Sequence, residues 1–249
     1  MSSPFVIGIP VYDGVDLLDV AVPYELFNWM AQLEPEVIPD APQRQVRLVS
    51  LDGSHIKTRD KLPLGGELAA LSADDHFDLL WIPGGDPLQL ERLMLSQDKM
   101  ALLLQVGSAA QYAASVCEGA LLAAAAGLLN GRCATTHWAF LDYLQQFPQV
   151  QVAPGYPRYV VDGNRISGGG ISSGLDEALQ IIAMLSNDVV AGKVQLTVQY
   201  HPQPPFNQGD PSVATPPVYT PGEPTNIPGL AAAIATVVAR QNQREVSPA

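Results

Sequence analysis

The stretch from Gln111 to Asn130 reads QYAASVCEGALLAAAAGLLN. A short apolar run ends at Val116, Cys117 follows, and the residues after Gly119 are strong helix formers, mainly alanine and leucine. This order predicts a buried strand, a sharp turn and a helix, with Cys117 at the turn. Nucleophile elbows have the same arrangement, which presents a reactive side chain at the carboxyl edge of a sheet.

Cys117 itself has two interpretations. As a nucleophile it would face the positive end of the following helix, which favours the thiolate over the thiol. As a structural residue it would be inert, since cysteine is among the residue types most often buried. The surrounding pattern favours the nucleophile, and Gly119, without a Cβ, would let a helix or a substrate approach closely.

Composition limits the classes of protein to consider. The 249 residues fit one α/β domain with a sizeable core. The net charge of −12 repels phosphate backbones, so we expect no nucleic-acid partner. No apolar run approaches the roughly 20 residues of a spanning helix, and no basic amphipathic segment suggests membrane binding. Two cysteines and no signal-peptide pattern predict a cytoplasmic protein.

Strand-length apolar runs alternate with helical patterns along the chain. Strands are predicted at residues 5–11, 46–51, 77–83, 112–116 and 131–138, with extended segments at 150–161 and 165–167; further helices are predicted at 88–95, 98–110, 139–147, 174–185 and 189–200. The alternation predicts an α/β fold with a mostly parallel sheet flanked by helices on both faces, a flavodoxin-like sandwich. Residues 1–200 would form this domain. Residues 201–249 would form a proline-rich arm and a terminal helix, packed on the domain or on a dimer partner.

The first helical pattern, residues 15–33, is interrupted by Pro23. Proline there predicts two helical pieces, or a helix that begins near Pro23. Asp19 precedes the break within an apolar stretch and has three interpretations. It caps the helix, it is exposed, or it points into a site. The local pattern favours capping.

A glycine loop, Pro83-Gly84-Gly85-Asp86-Pro87, follows the predicted strand at 77–83. Such a loop permits close backbone approach and can present amide groups to a developing negative charge, although an ordinary turn between strand and helix has the same composition. It would lie at the same sheet edge as Cys117. A thiolate, a proton shuttle and an anion-stabilising pocket are what cysteine chemistry needs. Cys117, Asp19 and the amides around Gly85 and Glu118 would supply them.

Two further residues, Glu118 and His137, each have two interpretations. Glu118 is either a helix-end residue that meets the helix dipole or a pocket group that opposes ionisation of the thiol, and we favour the pocket. His137 is either a base for the thiol or a packed or capping residue, and we favour the latter. Cys133 has no turn or helix behind it and is taken as structural. The four histidines are not paired at ligand spacing and no nucleotide motif is present, so we predict no metal and no cofactor.

Several motifs carry a resemblance to a known family. They are Leu18-Asp19 before Pro23, Ile82-Pro83-Gly84-Gly85, Ser115-Val116-Cys117 with Gly119, Ala134-Thr135-Thr136-His137-Trp138, Gly168-Gly169-Gly170-Ile171, and the proline pattern after Tyr200. The chain resembles the PfpI superfamily, which includes intracellular protease I, the Parkinsonism-associated deglycase and the isonitrile hydratases, and it is most similar to the last branch. The resemblance implies that Cys117 is the nucleophile and Asp19 its acid–base partner. We place Gly85, Asp86, Glu118 and Gly119 at the oxyanion and substrate pocket, with Thr136 and His137 in support.

The residue after the cysteine departs from the family pattern. Branches with a catalytic triad commonly place histidine there and isonitrile hydratases place threonine, whereas this chain has Glu118. We therefore expect no proteolysis. The expected function is that of an isonitrile hydratase-like lyase acting on a small molecule. The alternatives are a redox sensor that uses Cys117 and a glyoxalase-like enzyme for a small reactive carbonyl. Regulators in the superfamily carry a helix-turn-helix pair, which the arm and single helix after Tyr200 do not match.

The resemblance also implies a homodimer. The arm at residues 201–228 has too little apolar content to fold alone, so we expect it to lie across its own subunit or the partner. Truncation after Tyr200 is expected to loosen the dimer, which light scattering would detect as a lower mass. An unchanged mass would refute this expectation.

Overall fold

The computed structural model describes residues 3–53, 55–222 and 225–246. Its strands are β1 Phe5–Val11, β2 Arg44–Ser50, β3 Leu79–Ile82, β4 Tyr112–Ser115, β5 Arg132–Ala134, β6 Val150–Val152, β7 Tyr159–Asp162 and β8 Arg165–Gly168. Six of them form one sheet in the order β2-β1-β3-β4-β8-β7, in which only β7 runs antiparallel. The five parallel strands follow the doubly wound order of flavodoxin-like folds. The predicted α/β class and the mostly parallel sheet are confirmed, and β5 and β6 form a separate parallel pair.

The helices form two groups that cover the sheet. They are α1 Leu17–Val37, α2 Pro87–Leu95, α3 Gln97–Ala109, α4 Gly119–Ala126, α5 Leu141–Leu144, α6 Ser173–Leu185, α7 Asp188–Thr197 and α8 Leu230–Val246. Helices α1, α6 and α7 pack together, as do α2, α3, α4 and α8. Because both faces of the sheet are covered, the central strands β1 and β3 are buried. Their sequences are apolar runs, as is typical of central parallel strands. In the described part of the chain, no helix has both the length and the apolar character needed to cross a membrane.

Helix α1 corrects the prediction of a break at Pro23. It runs without interruption from Leu17 to Val37, through both Pro23 and a second proline at 35. Proline has no N–H, so Pro23 leaves the carbonyl of Asp19, four residues earlier, without its helical partner. The indole Nε1 of Trp81 donates to that carbonyl at 2.9 Å. This tertiary contact replaces the lost hydrogen bond, and the helix continues to Val37, beyond the helical pattern at residues 15–33.

The segment predicted as a strand at 131–138 is shorter than expected. β5 ends at Ala134, so His137 lies three residues beyond it rather than at its end. A 3₁₀ turn, Trp138–Phe140, and the short helix α5 replace the single helix predicted at 139–147. The chain after β5 therefore changes direction beside the elbow.

The proline-rich arm lies on its own subunit. The hydroxyl of Tyr143 donates to the carbonyl of Thr225 at 2.9 Å and accepts from the amide of Ile227 at 2.8 Å. Nearer the middle of the arm, the ring of Tyr219 contacts Trp138, with ring centroids 4.9 Å apart. α8 then packs against α2, α4 and α5. The division of the chain at residue 200 stays a prediction.

Candidate active site

The turn after β4 has the geometry of a nucleophile elbow. Cys117 has φ of +55°, a left-handed conformation that is uncommon for a residue with a side chain and is held by its surroundings. The amide of Cys117 donates to the carbonyl of Gly169 at 2.9 Å, and its carbonyl accepts from the hydroxyl of Thr136 at 2.8 Å. Neighbouring strand ends therefore fix the backbone on both sides of the sulfur.

Gly119 is required by a close backbone approach. A Cβ at this position would overlap the carbonyl oxygen of Ile82, at the end of β3. The first residue of α4 is thus pressed against the neighbouring strand. The approach that the sequence predicted at Gly119 is made by this strand rather than by a helix or a substrate.

Four acidic groups meet at the elbow. The side-chain ligand atoms of Asp16, Asp19, Cys117 and Glu118 all lie within 4.8 Å of one another, and all four residues are buried. Two come from the start of α1 and two from the turn before α4. Thiolate and carboxylate groups bind metal ions in proteins, so within the described residues this acidic cluster is where a cation would find ligands. The same groups can exchange protons at these distances.

Asp19 points into this cluster, so the favoured prediction that it caps a helix is wrong. Its Oδ2 accepts from the amide of Gly84 at 2.9 Å, while its Oδ1 has no hydrogen-bond partner among the described residues. Burial raises the pKa of Asp19 well above its usual value, and the charges of Glu118 and Asp16 raise it further. Both effects act in favour of the protonated acid, which is the form that can donate a proton.

Glu118 also lies inside the cluster rather than on a solvated helix end. It is 5% exposed, and its Oε2 is 2.6 Å from the position that a Cβ would take at Gly84. Burial raises the pKa of Glu118 to about 7, against the opposing effect of a hydrogen bond with Cys117. The carboxyl therefore changes its protonation state near neutral pH.

The thiol of Cys117 is fully buried, and its pKa is raised well above the usual value. Burial is the largest cause, followed by the charges of Asp19 and Glu118 and a hydrogen bond with Glu118. The sequence indicated that the start of the eight-residue α4 would favour the thiolate, whereas burial and two carboxyl groups act in favour of the thiol. The thiolate must be generated by proton transfer within the site.

In the glycine loop, Gly84 contacts the acidic cluster, since its amide donates to Asp19. Gly85 and Asp86, which the sequence placed at the pocket, have other contacts. A Cβ at Gly85 would lie 2.6 Å from the carbonyl of Gly14, so Gly85 packs against the backbone before α1. Asp86 caps α2, since its carboxylate accepts from the amide of Leu88 at 2.8 Å, and its own amide donates to Gly14 at 2.8 Å. Both polar groups of Asp86 are thus engaged outside the acidic cluster.

Thr136 and His137 lie beside the elbow in different roles. Thr136 holds the carbonyl of Cys117, as described above. The Nδ1 of His137 accepts from the amide of Ala139 at 3.2 Å and caps the 3₁₀ turn. Burial lowers the pKa of His137 to about 4, and the charge of Arg59 adds to this effect. A neutral, capping histidine matches the interpretation favoured from the sequence.

Sequence reasoning missed Asp16 and Arg59. Asp16 lies three residues before Asp19, a spacing that places both carboxyls on one side of a helix start, and this signal was available. Arg59 lies in an irregular segment and has no comparable signal. Its guanidinium is 3.1 Å from Asp16, and its amide donates to the carbonyl of Val15 at 3.0 Å. Arg59 thus supplies positive charge at the edge of the acidic cluster.

The protein thus has an open α/β sheet with a buried cysteine beside a carboxylic acid at the edge of the sheet. These features define a class of proteins with cysteine chemistry at that edge. This chain belongs to the DJ-1/PfpI family, whose sequence model matches residues 6–184. It is 34% identical over 208 residues to the isonitrile hydratase of Pseudomonas putida, an alignment that covers 84% of both chains. It is 28% identical over 155 residues to an HTH-type transcriptional regulator of Pseudomonas aeruginosa, covering 61% of this chain and 44% of the regulator.

Solved structures agree on the fold. A THiJ/PfpI family protein from Pseudomonas syringae superposes with a TM-score of 0.74 and 26% identity, covering 97% of this chain and 87% of that one. DJ-1beta of Drosophila melanogaster superposes with a TM-score of 0.67 and 18% identity, covering 80% of this chain and all of its own. The second likeness concerns the fold alone.

Proposed function

We propose that the protein hydrates an isonitrile, R–NC, to an N-substituted formamide, with Cys117 as the nucleophile. The observation that carries the proposal is the pairing of Cys117 with Asp19 in one buried cluster, where the favoured protonated form of Asp19 can donate a proton. The similarity to an isonitrile hydratase over 84% of both chains supports the same reaction. Glu118, the residue after the cysteine, accepts a proton in the first half of the reaction and donates it in the second.

The first half of the reaction forms a covalent intermediate. The ionised fraction of Glu118 accepts the proton of the Cys117 thiol, whose sulfur lies within 4.8 Å of a carboxylate oxygen of Glu118. The thiolate attacks the terminal carbon of the isonitrile and forms a carbon–sulfur bond. Asp19 donates its proton to the same carbon, which gives the thioimidate R–N=CH–S–Cys117.

The second half consumes water and restores the site. The Asp19 carboxylate takes a proton from water as the water oxygen attacks the thioimidate carbon, and protonated Glu118 donates to the nitrogen. The carbon–sulfur bond then breaks, and the hydroxyl proton of the intermediate returns to the sulfur. The product is R–NH–CHO, one water molecule is consumed, and all three side chains regain their initial protonation states.

This scheme needs no new charge in the buried site. One negative charge moves from Glu118 to Cys117 and then to Asp19, and it returns to Glu118 when water adds to the thioimidate. Creating an additional charge in a desolvated site is costly, so transfer within a cluster of close groups lowers that cost. Arg59, 3.1 Å from Asp16, adds a compensating positive charge.

The redox-sensing alternative fits this geometry less well. Susceptibility to oxidation follows thiolate character and exposure, and the Cys117 thiol is buried with a raised pKa because of burial and two neighbouring carboxyls. A reactive carbonyl remains a competing substrate class, since the same thiol could add to an aldehyde. Incubation of the protein with cyclohexyl isocyanide and with methylglyoxal separates the two. Absence of N-cyclohexylformamide in the first reaction would contradict the proposal.

Glu118→Gln is expected to lower the pKa of the Cys117 thiol. The carboxylate accepts a hydrogen bond from the thiol and its charge opposes the thiolate, and glutamine removes that charge at nearly constant volume. Because the thiolate is the reactive form, the pH profile of alkylation by iodoacetamide should move to lower pH. The measurement uses a Cys133→Ala background so that one thiol reacts.

The matched control for this experiment is Asp86→Asn, which removes a carboxylate that caps α2 outside the acidic cluster. Its alkylation profile should coincide with that of the parent. Superimposable profiles for Glu118→Gln and the parent would show that Glu118 does not influence the sulfur. A shift to higher pH would show that protonated Glu118 stabilises the thiolate by donating to it.

A further inference from the structure

An exposed group of aromatic side chains joins the proline-rich arm to the domain. Trp138 is 37% exposed and contacts the ring of Tyr219 at an interplanar angle of 67°. Tyr156 is also exposed, and burial and the neighbouring Tyr219 raise the pKa of its hydroxyl. We call Trp138, Tyr156 and Tyr219 the aromatic rim. Two of its members belong to the domain and the third is brought there by the arm.

The aromatic rim is connected to the elbow through two short chains of contacts. Thr136, two residues before Trp138, donates to the carbonyl of Cys117. The ring of His137 is 5.4 Å from that of Trp138, and its Cδ2 is 2.8 Å from the position that a Cβ would take at Gly170. The residue before Gly170 accepts the amide hydrogen bond of Cys117. The rim is therefore joined, through Thr136 and His137, to the residues that hold the backbone of the nucleophile.

Both apolar and charged groups are exposed near the acidic cluster. Leu17 and Leu18 are exposed at the start of α1, directly before Asp19. Charged groups are also present, since Arg59 is paired with Asp16 and the exposed Asp60 acts on the same carboxyl. Leu17, Leu18 and the aromatic rim provide apolar and aromatic surface. Such surface binds an apolar group by removing it from water, and aromatic pairs add a preference for ring geometry.

We propose that the aromatic rim binds the substituent of the substrate, and that Tyr219 makes the arm a specificity-determining part of the site. The substrates would be isonitriles with an aryl or bulky apolar substituent rather than short or charged ones. This inference rests on the proposed function for the reaction itself. It adds a role for the arm, which the sequence linked only to packing and dimerisation.

The test compares a small and an aromatic reactant in the same variants. Tyr219→Ala should lower kcat/KM for benzyl isocyanide by about 10-fold or more, chiefly through KM, and leave methyl isocyanide within about 2-fold. Tyr219→Phe keeps the ring and should behave as the wild type. Phe206→Ala is the matched control, because Phe206 is an exposed aromatic residue of the same arm outside the rim.

A second readout does not depend on turnover. In a Cys133→Ala background, the ratio of Cys117 alkylation rates with N-phenylmaleimide and N-methylmaleimide should fall in Tyr219→Ala and be retained in Tyr219→Phe. An unchanged ratio, or an equal fall in Phe206→Ala, would overturn the rim as a binding surface. If no variant forms formamide but the ratio falls as expected, the proposed reaction fails and the role of the rim stands.

Discussion

Cys117→Ala is expected to abolish formamide production, with a loss of about 10⁴-fold or more in kcat. The sulfur forms the covalent bond to the isonitrile carbon, and the remaining members of the acidic cluster are carboxyls. Alanine has the same Cβ as cysteine, so the left-handed backbone at position 117 is no more strained in the variant. The measurement is the initial rate of N-cyclohexylformamide formation from cyclohexyl isocyanide.

The control for this loss is Cys133→Ala. Cys133 is the other free cysteine, partly buried on β5, and its backbone amide donates to Asp162. We expect wild-type turnover from this variant. Substantial formamide production by Cys117→Ala, or an equal loss in Cys133→Ala, would contradict the assigned nucleophile.

Asp19→Asn is expected to reduce kcat by about 10²- to 10⁴-fold, the usual range for loss of a general acid–base group. The amide oxygen can still accept from the amide of Gly84, so the position of the side chain is preserved. An amide can neither protonate the isonitrile carbon nor take a proton from water. Both halves of the reaction therefore lose their proton carrier.

Stability separates this effect from misfolding. The folded-state pKa of Asp19 is raised by burial and by Glu118, so its contribution to stability is full below the usual aspartate pKa and is lost as pH rises through the folded pKa. Asparagine carries no such dependence. Thermal unfolding at pH 8 should therefore show a Tm for Asp19→Asn no lower than that of the wild type. A marked fall in Tm, or unchanged kcat, would contradict the assigned role.

The sequence predicted those features that depend on local patterns. The apolar run, Cys117, Gly119 and the alanine-rich segment specify strand, turn and helix within twenty residues, and the alternation along the chain specifies a parallel sheet. Loops at the carboxyl ends of neighbouring strands must then lie close together, which brought Cys117 and the glycine loop to one edge. The family resemblance added Asp19 as the partner of Cys117.

Features that depend on distant contacts could not be predicted in the same way. The continuity of α1 through Pro23 requires the Trp81 indole, which is 62 residues from Asp19 along the chain. The raised pKa of Cys117 follows mainly from burial and from Asp19 as well as Glu118, whereas the sequence indicated only the following helix and Glu118 as influences on the thiol. Arg59 reaches the acidic cluster through an irregular segment whose path has no periodic signal.

Rapid-quench intact-mass spectrometry during turnover tests the central claim most directly. On mixing with cyclohexyl isocyanide, we expect a transient species heavier than the protein by the mass of one substrate molecule, located on Cys117 by peptide mapping. This species should form no more slowly than formamide appears and should be absent from Cys117→Ala. Formamide that accumulates at the wild-type rate with no adduct on Cys117 at any time would contradict it.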